Sequence, residues 1–219
     1  MALRLRLVVG MVVPLAFLVT VAGQQPAAPK PAQQPAAPKL QTPTKQDPLR
    51  FRAVLQTQKQ DAGAQGVVQI EIERWSTEAE REQLVVLAGQ TTKVAQGQDK
   101  LLHALQNMKP RTGFIRTPNS LGWDLRYTHE NLLSDGTRQI VIATDKPVSF
   151  GAAFADAEST DYPFTLIEMR MKPDNKGEGK MLARSAIIAK DGKLVLENYG
   201  NEPIKLSEIW ETDKDGKKK

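Results

Sequence analysis

A tight turn late in the chain restricts the fold more strongly than any other feature of the sequence. The segment Lys190–Lys193 has an Asp-Gly centre, and both central residues can adopt the positive φ angles of a type I′ hairpin turn. This turn sets the pairing of the flanking residues, with Ile187 opposite Leu196 and Ala189 opposite Leu194 on the face that we expect to be buried. A slip of one residue would exchange the two faces, so the sequence predicts one specific register.

Alternation of apolar and polar residues indicates strands over most of the remaining folded part. Val68, Ile70 and Ile72 alternate with polar residues, and residues 51–55 show the same period of two. Further strands are predicted at 113–117, 123–130, 137–144, 162–172, 180–190, 193–199 and 203–210.

Two helices are predicted after the second strand. Thr77 followed by Glu80 has the sequence of a capping box, and Gly89 is a typical residue at a helix end. Apolar residues recur on one side of a second helix at 98–108, which Pro110 ends. The sequence therefore predicts an α+β fold, a mostly antiparallel sheet whose last third is a meander, with two inserted helices. The sheet either packs one face on the helices or curls towards a barrel, and the sequence leaves both shapes open.

The N-terminal part of the sequence predicts export. Arg4 and Arg6 precede an apolar run over residues 7–21, which small residues close, and this is the pattern of a signal peptide at residues 1–23. A retained membrane anchor is the alternative, although the run is shorter than the roughly 20 residues that a membrane-spanning helix needs. Residues 24–49 are rich in Pro, Ala and Gln and are expected to form a disordered linker. We therefore predict one periplasmic or extracellular domain at residues 50–212, followed by a basic disordered tail at 213–219.

The basic character of the chain lies in its ends. The chain carries a net charge of +5, residues 1–50 carry +5 and residues 213–219 carry +2, which leaves −2 for residues 51–212. A nucleic-acid-binding domain carries its positive charge on the folded surface, so nucleic acid is excluded as a partner. The basic ends are expected to make at most weak contacts with anionic envelope surfaces. The chain contains no cysteine, so the domain relies on burial without disulfides for its stability.

Residues with catalytic or metal-binding chemistry are sparse. His103 is expected on the exposed side of its helix, and His129, near a strand end, is expected either at the surface or at the mouth of a pocket. Two distant histidines without cysteine do not suffice for a zinc site. The segment Asp174–Gly179 lacks the oxygen ligands of a helix-loop-helix calcium site and is predicted to form a hairpin turn. Motifs of serine nucleophiles and of phosphate-binding loops are absent from the sequence, so we expect no metal and no cofactor.

One group of residues is a candidate ligand-binding site. Glu168 lies in a predicted strand that is apolar on nearly both faces, and Arg184 follows it across the next hairpin. With Tyr199 and Trp123 as walls, these two charged side chains could line a cavity for a small ligand. The alternative is a partly exposed cross-strand ion pair with little effect on stability.

Three blocks of the sequence resemble those of a family of exported bacterial proteins to which no activity is assigned. The blocks are Arg74–Arg81 (RWSTxxER), Ala143–Pro147 (ATDKP) and Asp161–Glu168 (DYPFTLIE), and the resemblance extends over most of residues 51–210. The resemblance implies a single exported domain. It implies no reaction, cofactor or catalytic residue.

Two functional hypotheses follow from the sequence. The favoured one is a non-enzymatic envelope module that binds a small apolar or amphiphilic ligand, or a partner protein, on its sheet. The missing catalytic motifs and the aromatic and methionine residues of the predicted strands favour it. The alternative is a carboxylate-based hydrolase that acts on envelope sugars or peptides, which requires two acidic groups within about 5–10 Å of each other in one cleft.

Overall fold

The computed structural model describes residues 40–56, 66–90, 96–118, 120–148, 164–183, 186–197 and 204–219. The strands are β1 (Leu49–Gln56), β2 (Gly66–Ile72), β3 (Gly113–Arg116), β4 (Trp123–Leu125), β5 (Tyr127–Leu132), β6 (Arg138–Thr144), β7 (Thr165–Met171), β8 (Lys176–Ala183), β9 (Ala186–Lys190), β10 (Lys193–Glu197) and β11 (Ile204–Thr212). The helices are α1 (Glu78–Gln90) and α2 (Gln96–Asn107). The predicted α+β class, with an antiparallel sheet and two helices after the second strand, is confirmed.

Nine of the described strands form one antiparallel sheet that curls into a nearly closed barrel. Their order is β4-β3-β2-β1-β11-β8-β7-β6-β5. The two edge strands follow each other in the chain with only Arg126 between them, and the Arg126 N–H donates to the carbonyl oxygen of Ala143 on β6 at 2.9 Å. This connection brings the two edges together, so the sheet is curled, and its outer face also packs on the two helices.

Apolar side chains at alternate strand positions fill the interior of the barrel. On β1 and β2 the buried interior residues are Leu49, Phe51, Ala53, Leu55, Val68, Ile70 and Ile72. Ile140 and Ile142 of β6 and Ile167 and Met169 of β7 belong to the same cluster. The period of two predicted for the first strands is therefore confirmed. Each fully buried side chain of this kind contributes about 1.5–3 kcal/mol to the free energy of unfolding.

The two helices and the β9–β10 hairpin cover part of the outer face of the barrel. They bury a second apolar cluster, in which Leu84 of α1 and Leu101 and Leu105 of α2 join Ala143 of β6 and Leu166 of β7. The central strands are therefore apolar on both faces over part of their length, which explains the doubly apolar pattern of β7 in the sequence.

The first of the three sequence blocks attaches α1 to the barrel. The Thr77 N–H donates to the Glu80 carboxylate at 2.8 Å, and the Glu80 N–H donates to the Thr77 hydroxyl at 3.2 Å, which confirms the capping box. The Arg74 guanidinium donates two hydrogen bonds to the same carboxylate, at 2.8 and 2.9 Å. The Ser76 N–H donates to the carbonyl oxygen of Thr128 on β5 at 2.8 Å, and the Thr128 N–H donates back to the Ser76 hydroxyl at 3.1 Å.

The β9–β10 hairpin has the predicted register. Ile187 pairs with Leu196 and Ala189 with Leu194, and the two central residues of the turn have φ angles of 52° and 70°. The order of the last strands differs from the predicted meander, because the hairpin forms a separate two-stranded sheet and β11 returns to pair with β8 and β1. The predicted strand at 180–190 is therefore two strands, β8 and β9. Ile187 of β9 and Leu194 of β10 are buried against the helices and not in the barrel interior.

Two glycines allow β8 to approach β7 closely. A Cβ atom added at Gly177 would lie 2.8 Å from the carbonyl oxygen of Arg170, and one added at Gly179 would lie 2.4 Å from that of Glu168. Real Cβ contacts are essentially never this short, so a larger residue would push the two strands apart. The hairpin turn predicted before β8 is shorter than expected, because β8 begins at Lys176 and contains both glycines.

A buried ion cluster lies at one end of the barrel. Nε of Arg138 is 2.5 Å from Oε1 of Glu130, and its Nη1 is 3.4 Å from Oε2 of Glu211. The side chains of these residues are 9%, 2% and 1% exposed, respectively. Nζ of Lys219 lies 2.6 Å from Oε1 of Glu211, so this second glutamate has two cationic partners.

Residues 213–219, for which the sequence predicts a disordered tail, form a turn beside β11. The Asp213 carboxylate accepts the N–H groups of Asp215 and Lys217 at 2.9 and 2.8 Å. The Lys219 N–H then donates to the carbonyl oxygen of Glu211 at 3.0 Å. The structure differs from the prediction because these backbone and side-chain hydrogen bonds hold the charged segment against the barrel.

The described end of the predicted linker also contacts the domain. Pro43 and Pro48 are buried, and the Trp75 indole N–H donates to the carbonyl oxygen of Gln41 at 3.0 Å. Residues 1–39, with the predicted signal peptide and most of the linker, lie outside the described residues. In the described ranges, neither helix has the length and apolar character needed to cross a membrane.

Candidate functional site

A cleft lies on the outer face of the barrel at the place where the cover of helices and hairpin ends. Its volume is about 710 Å³, which falls within the range of small-molecule binding sites. Outward-facing residues of β5, β6 and β7 form its floor, and Lys180 of β8 adds to one end. The first turn of α1 and the tip of the β9–β10 hairpin form its rim.

Glu168 lies at the polar end of the cleft and interacts with three donors. Nε2 of Gln139 and Nε of Arg170 both donate to its Oε1 at 3.0 Å, and Nζ of Lys180 lies 3.3 Å from its Oε2. Burial alone would raise the pKa of Glu168, but the hydrogen bonds from Gln139 and Arg170 and the charge of Lys180 outweigh burial and lower it. Glu168 is therefore ionised at neutral pH and orients the two cationic side chains.

The other end of the cleft is apolar and aromatic. The rings of Tyr127 and His129 stack with their centroids 6.3 Å apart and their planes 22° from parallel. Val141, Leu166 and Leu194 continue the apolar surface beside them. Burial raises the pKa of Tyr127, so its hydroxyl stays neutral.

Arg81 of α1 joins the two parts of the rim. Its Nη1 donates to the carbonyl oxygen of Gly192 at the hairpin tip at 2.9 Å, and its Nε donates to Oε1 of Glu78 at 2.9 Å. Burial and, to a smaller extent, the charge of Arg81 lower the pKa of His129. The imidazole is therefore neutral at pH 7 and adds an uncharged aromatic surface to the wall.

The structure places one of the four predicted site residues in the cleft. Glu168 lines it, whereas Trp123 does not. Trp123 lies opposite Ile115 and packs against the interior apolar cluster, because both residues face the inside of the barrel. Arg184 and Tyr199 lie outside the described residues.

The cationic partners of Glu168 in the structure are Arg170 and Lys180, and neither was predicted from the sequence. Arg170 follows Glu168 by two positions, so the period of a strand was a sufficient signal for their shared face. To predict Lys180 as a partner, one must know the register between β7 and β8. This register depends on the turn that contains Asn175 at a φ angle of 61°. That turn places Lys180 directly opposite Glu168.

The two histidines lie at different places on the domain. His103 is exposed on α2, as predicted, and His129 lines the cleft, which is one of the two positions that the sequence allowed. Within the residues that the structure describes, no three His, Cys, Asp or Glu side chains are grouped so that they could hold a metal ion. Asp174 instead accepts the N–H of Lys176 at 3.2 Å within the turn before β8.

Three carboxylates line the cleft, those of Glu78, Glu168 and Asp191. A hydrogen bond from Arg81 is the main cause that lowers the pKa of Glu78, and the pKa of Glu168 is lowered as well. A carboxyl group that acts as a general acid needs a raised pKa, and neither of these glutamates has one. No family model, no curated protein and no solved structure matches the chain.

Proposed function

We propose that this chain is an exported, non-enzymatic module that binds a small amphiphilic ligand in the cleft over β5, β6 and β7. The observation that carries the proposal is the presence of an apolar floor and a cationic end in one cavity of about 710 Å³. Tyr127, Val141 and Leu166 supply the floor, and Arg170 and Lys180 supply the cationic end. Burial of the apolar part of a ligand on this floor contributes about 25 cal/mol per Å².

The cationic end accommodates an anionic head group. Three cations, Arg170, Lys180 and Lys205, lie there with two carboxylates, those of Glu168 and Glu178, so a net charge of +1 remains. The side chains of Arg170 and Lys180 are 56% and 48% exposed, which leaves N–H donors of both available to a ligand. Because Glu168 already orients these donors, a ligand loses less side-chain entropy when it binds.

Export is supported by the order of charged, apolar and small residues at 1–23. We expect cleavage after Ala22 or Gly23, so N-terminal sequencing of protein from the periplasmic fraction should begin at Gly23 or Gln24. Protein with an intact Met1 in the cytosolic fraction would contradict this part of the proposal.

Val141 provides a test of the apolar floor with a matched control. Val141 is a half-buried residue of the cleft floor, and Val67 is a half-buried, outward-facing residue of β2 away from the cleft. We expect the anionic amphiphile 8-anilinonaphthalene-1-sulfonate to bind Val141→Gln about tenfold more weakly than the unchanged protein. Val67→Gln should bind it as the unchanged protein does. Equal fluorescence titrations for all three proteins would exclude the cleft as the binding site.

A second pair of titrations tests the cationic end. The variant Arg170→Gln/Lys180→Gln should lose about tenfold in affinity for the sulfonate probe but keep its affinity for the neutral N-phenyl-1-naphthylamine within about twofold. Equal losses for both probes would show that the two cations do not recognise a head group. Native mass spectrometry of the protein from its own envelope then identifies the ligand that co-purifies.

A further inference from the structure

A second candidate site lies on a part of the outer face that contributes no residue to the apolar cluster beneath the helices. Four residues form a row across neighbouring strands there. Trp210 of β11 lies opposite Arg52 of β1, which lies opposite Gln69 of β2, which in turn lies opposite Arg116 of β3. The last three of these residues border a cavity of about 240 Å³.

The row itself contains hydrogen-bond donors and no carboxylate, and Glu71 of the neighbouring row also borders the cavity. Nε of Arg116 donates to Oε1 of Gln69 at 3.0 Å, which uses the amide oxygen and leaves the amide NH₂ group as a donor. Neither Arg52 nor Arg116 has a carboxylate of the described residues within ion-pair distance. Arg50 in the neighbouring row differs, because its Nε lies 3.0 Å from Oε2 of Glu71.

Each arginine of the row lies over an aromatic ring. Cζ of Arg52 lies 5.8 Å from the centre of the Trp210 ring, and Cζ of Arg116 lies 5.4 Å from that of Phe114. A guanidinium that lies over a ring keeps its in-plane N–H groups available for paired hydrogen bonds to an oxyanion. Such a contact at an exposed site favours this side-chain position modestly, which lowers the entropy that binding loses.

The Arg50–Glu71 ion pair and the turn beside β11 form further parts of the wall of this cavity, and the turn adds a cation. Lys214 lies in the wall, together with Asp213 and Asp215. The Asp213 carboxylate already accepts two backbone N–H groups of its own turn, at 2.9 and 2.8 Å. It therefore competes weakly for the guanidinium groups across the cavity.

We propose that Arg52, Gln69 and Arg116 bind a small polyvalent anion that carries at least two phosphate or carboxylate groups. The two arginines lie on strands that are two interstrand spacings apart, about 10 Å. Each guanidinium therefore takes a separate oxyanion group, and the Gln69 amide donates between them. This site lies apart from the cleft, and the proposal does not depend on the function proposed for the cleft.

Calorimetric titration with inorganic triphosphate tests the proposal. We expect the unchanged protein to bind triphosphate, and Arg52→Gln/Arg116→Gln to bind it at least about tenfold more weakly. The control Lys100→Gln/Lys172→Gln removes the same charge from exposed positions outside the cavity, so its affinity should stay within about twofold of the unchanged protein. An equal loss in the control would show general attraction between opposite charges and would overturn the proposal.

Vesicles that contain phosphatidylglycerol form a second arm, with phosphatidylcholine vesicles as the reference. Binding to the anionic vesicles alone, lost in the arginine variant and kept in the lysine control, assigns the phosphate groups to lipid head groups at the same site. If the unchanged protein binds neither triphosphate nor anionic vesicles, the site does not exist as proposed.

Discussion

Replacement of Arg138 by methionine should destabilise the barrel strongly. Arg138 is 9% exposed and lies between Glu130 and Glu211, which are 2% and 1% exposed. Removal of one partner from a buried ion pair leaves an uncompensated buried charge and typically costs about 3–5 kcal/mol. Glu211 retains Lys219 at 2.6 Å, so the charge left without a cation is mainly that of Glu130.

Glu130 is the residue that the substitution leaves without a cation, so its neutralisation should restore stability. Oε2 of Glu130 is buried and has no hydrogen-bond partner among the described residues, so Arg138 is the main compensation for this carboxylate. The double variant Arg138→Met/Glu130→Gln should therefore recover at least about 2 kcal/mol relative to Arg138→Met alone. This non-additivity distinguishes loss of charge compensation from loss of packing, which the second substitution does not restore.

Urea unfolding followed by tryptophan fluorescence measures both effects. The control is Arg170→Met, because Arg170 pairs with a carboxylate at 3.0 Å but is 56% exposed, and pairs of this kind contribute less than about 1 kcal/mol. If Arg138→Met costs no more than Arg170→Met, or if Glu130→Gln fails to recover stability in the double variant, the argument from buried charge is refuted.

Three further predictions concern a close strand contact, a helix cap and the protonation of a histidine. Gly179→Ala should lower the free energy of unfolding by about 1–3 kcal/mol in the same urea assay, because the new Cβ would lie 2.4 Å from a backbone oxygen of β7. Thr77→Ala removes the cap of α1 and should cost about 1 kcal/mol, with an unchanged cost at high salt. Burial and then Arg81 lower the pKa of His129 below its ordinary 6.5, so the unfolded chain takes up this proton first as the pH falls. The stability that the neutral His129 contributes is therefore present above about pH 6.5 and is lost as the pH falls towards the lower pKa of the folded state. The variant His129→Gln should reduce this loss of stability, whereas the exposed His103→Gln should not.

The features that the sequence predicted correctly depend on local geometry. The register of the β9–β10 hairpin follows from two residues with positive φ angles, and the capping box needs only Thr77 and Glu80. Interactions of this kind form within a few residues of chain, so their sequence signature is complete. Period two likewise predicted which side chains of β1 and β2 face inward, because strand geometry alone sets the alternation.

The return of β11 to pair with β1 was not predictable from such signals, because it depends on which apolar face the rest of the fold leaves uncovered. The interruption of the strand at Arg126, between β4 and β5, was also not predictable from local signals. The sequence suggested one continuous strand, with Leu125 and Tyr127 on one face, yet Leu125 lies in the interior cluster and Tyr127 in the outer one. A chain that leaves one edge of a barrel and enters the other changes direction there, and the alternation restarts.

The candidate site shows the same division between local and long-range information. Glu168 stood out in the sequence because a carboxylate is unusual in a strand that is apolar on both faces. Its partner Lys180 becomes recognisable only when the β7–β8 register is known, and Arg81 reaches the rim only because α1 lies beside the hairpin. A site that several elements build together has no contiguous signature in the chain.

The helices and the β9–β10 hairpin cover only part of the outer face of the sheet, so two different surfaces remain exposed on it. Where the helices and hairpin stop, Glu168 of β7 faces a cleft with an apolar floor, and on β1 the outward-facing Arg52 lies over an aromatic ring instead. Strands β11 and β8 separate these two positions, a distance of three interstrand spacings, or about 14 Å. Sites so far apart, with no shared ligand contacts, combine their free energies within about 0.5 kcal/mol. Saturation of one site should therefore leave the affinity of the other within about twofold, and a larger change would mean that the barrel itself shifts between two arrangements.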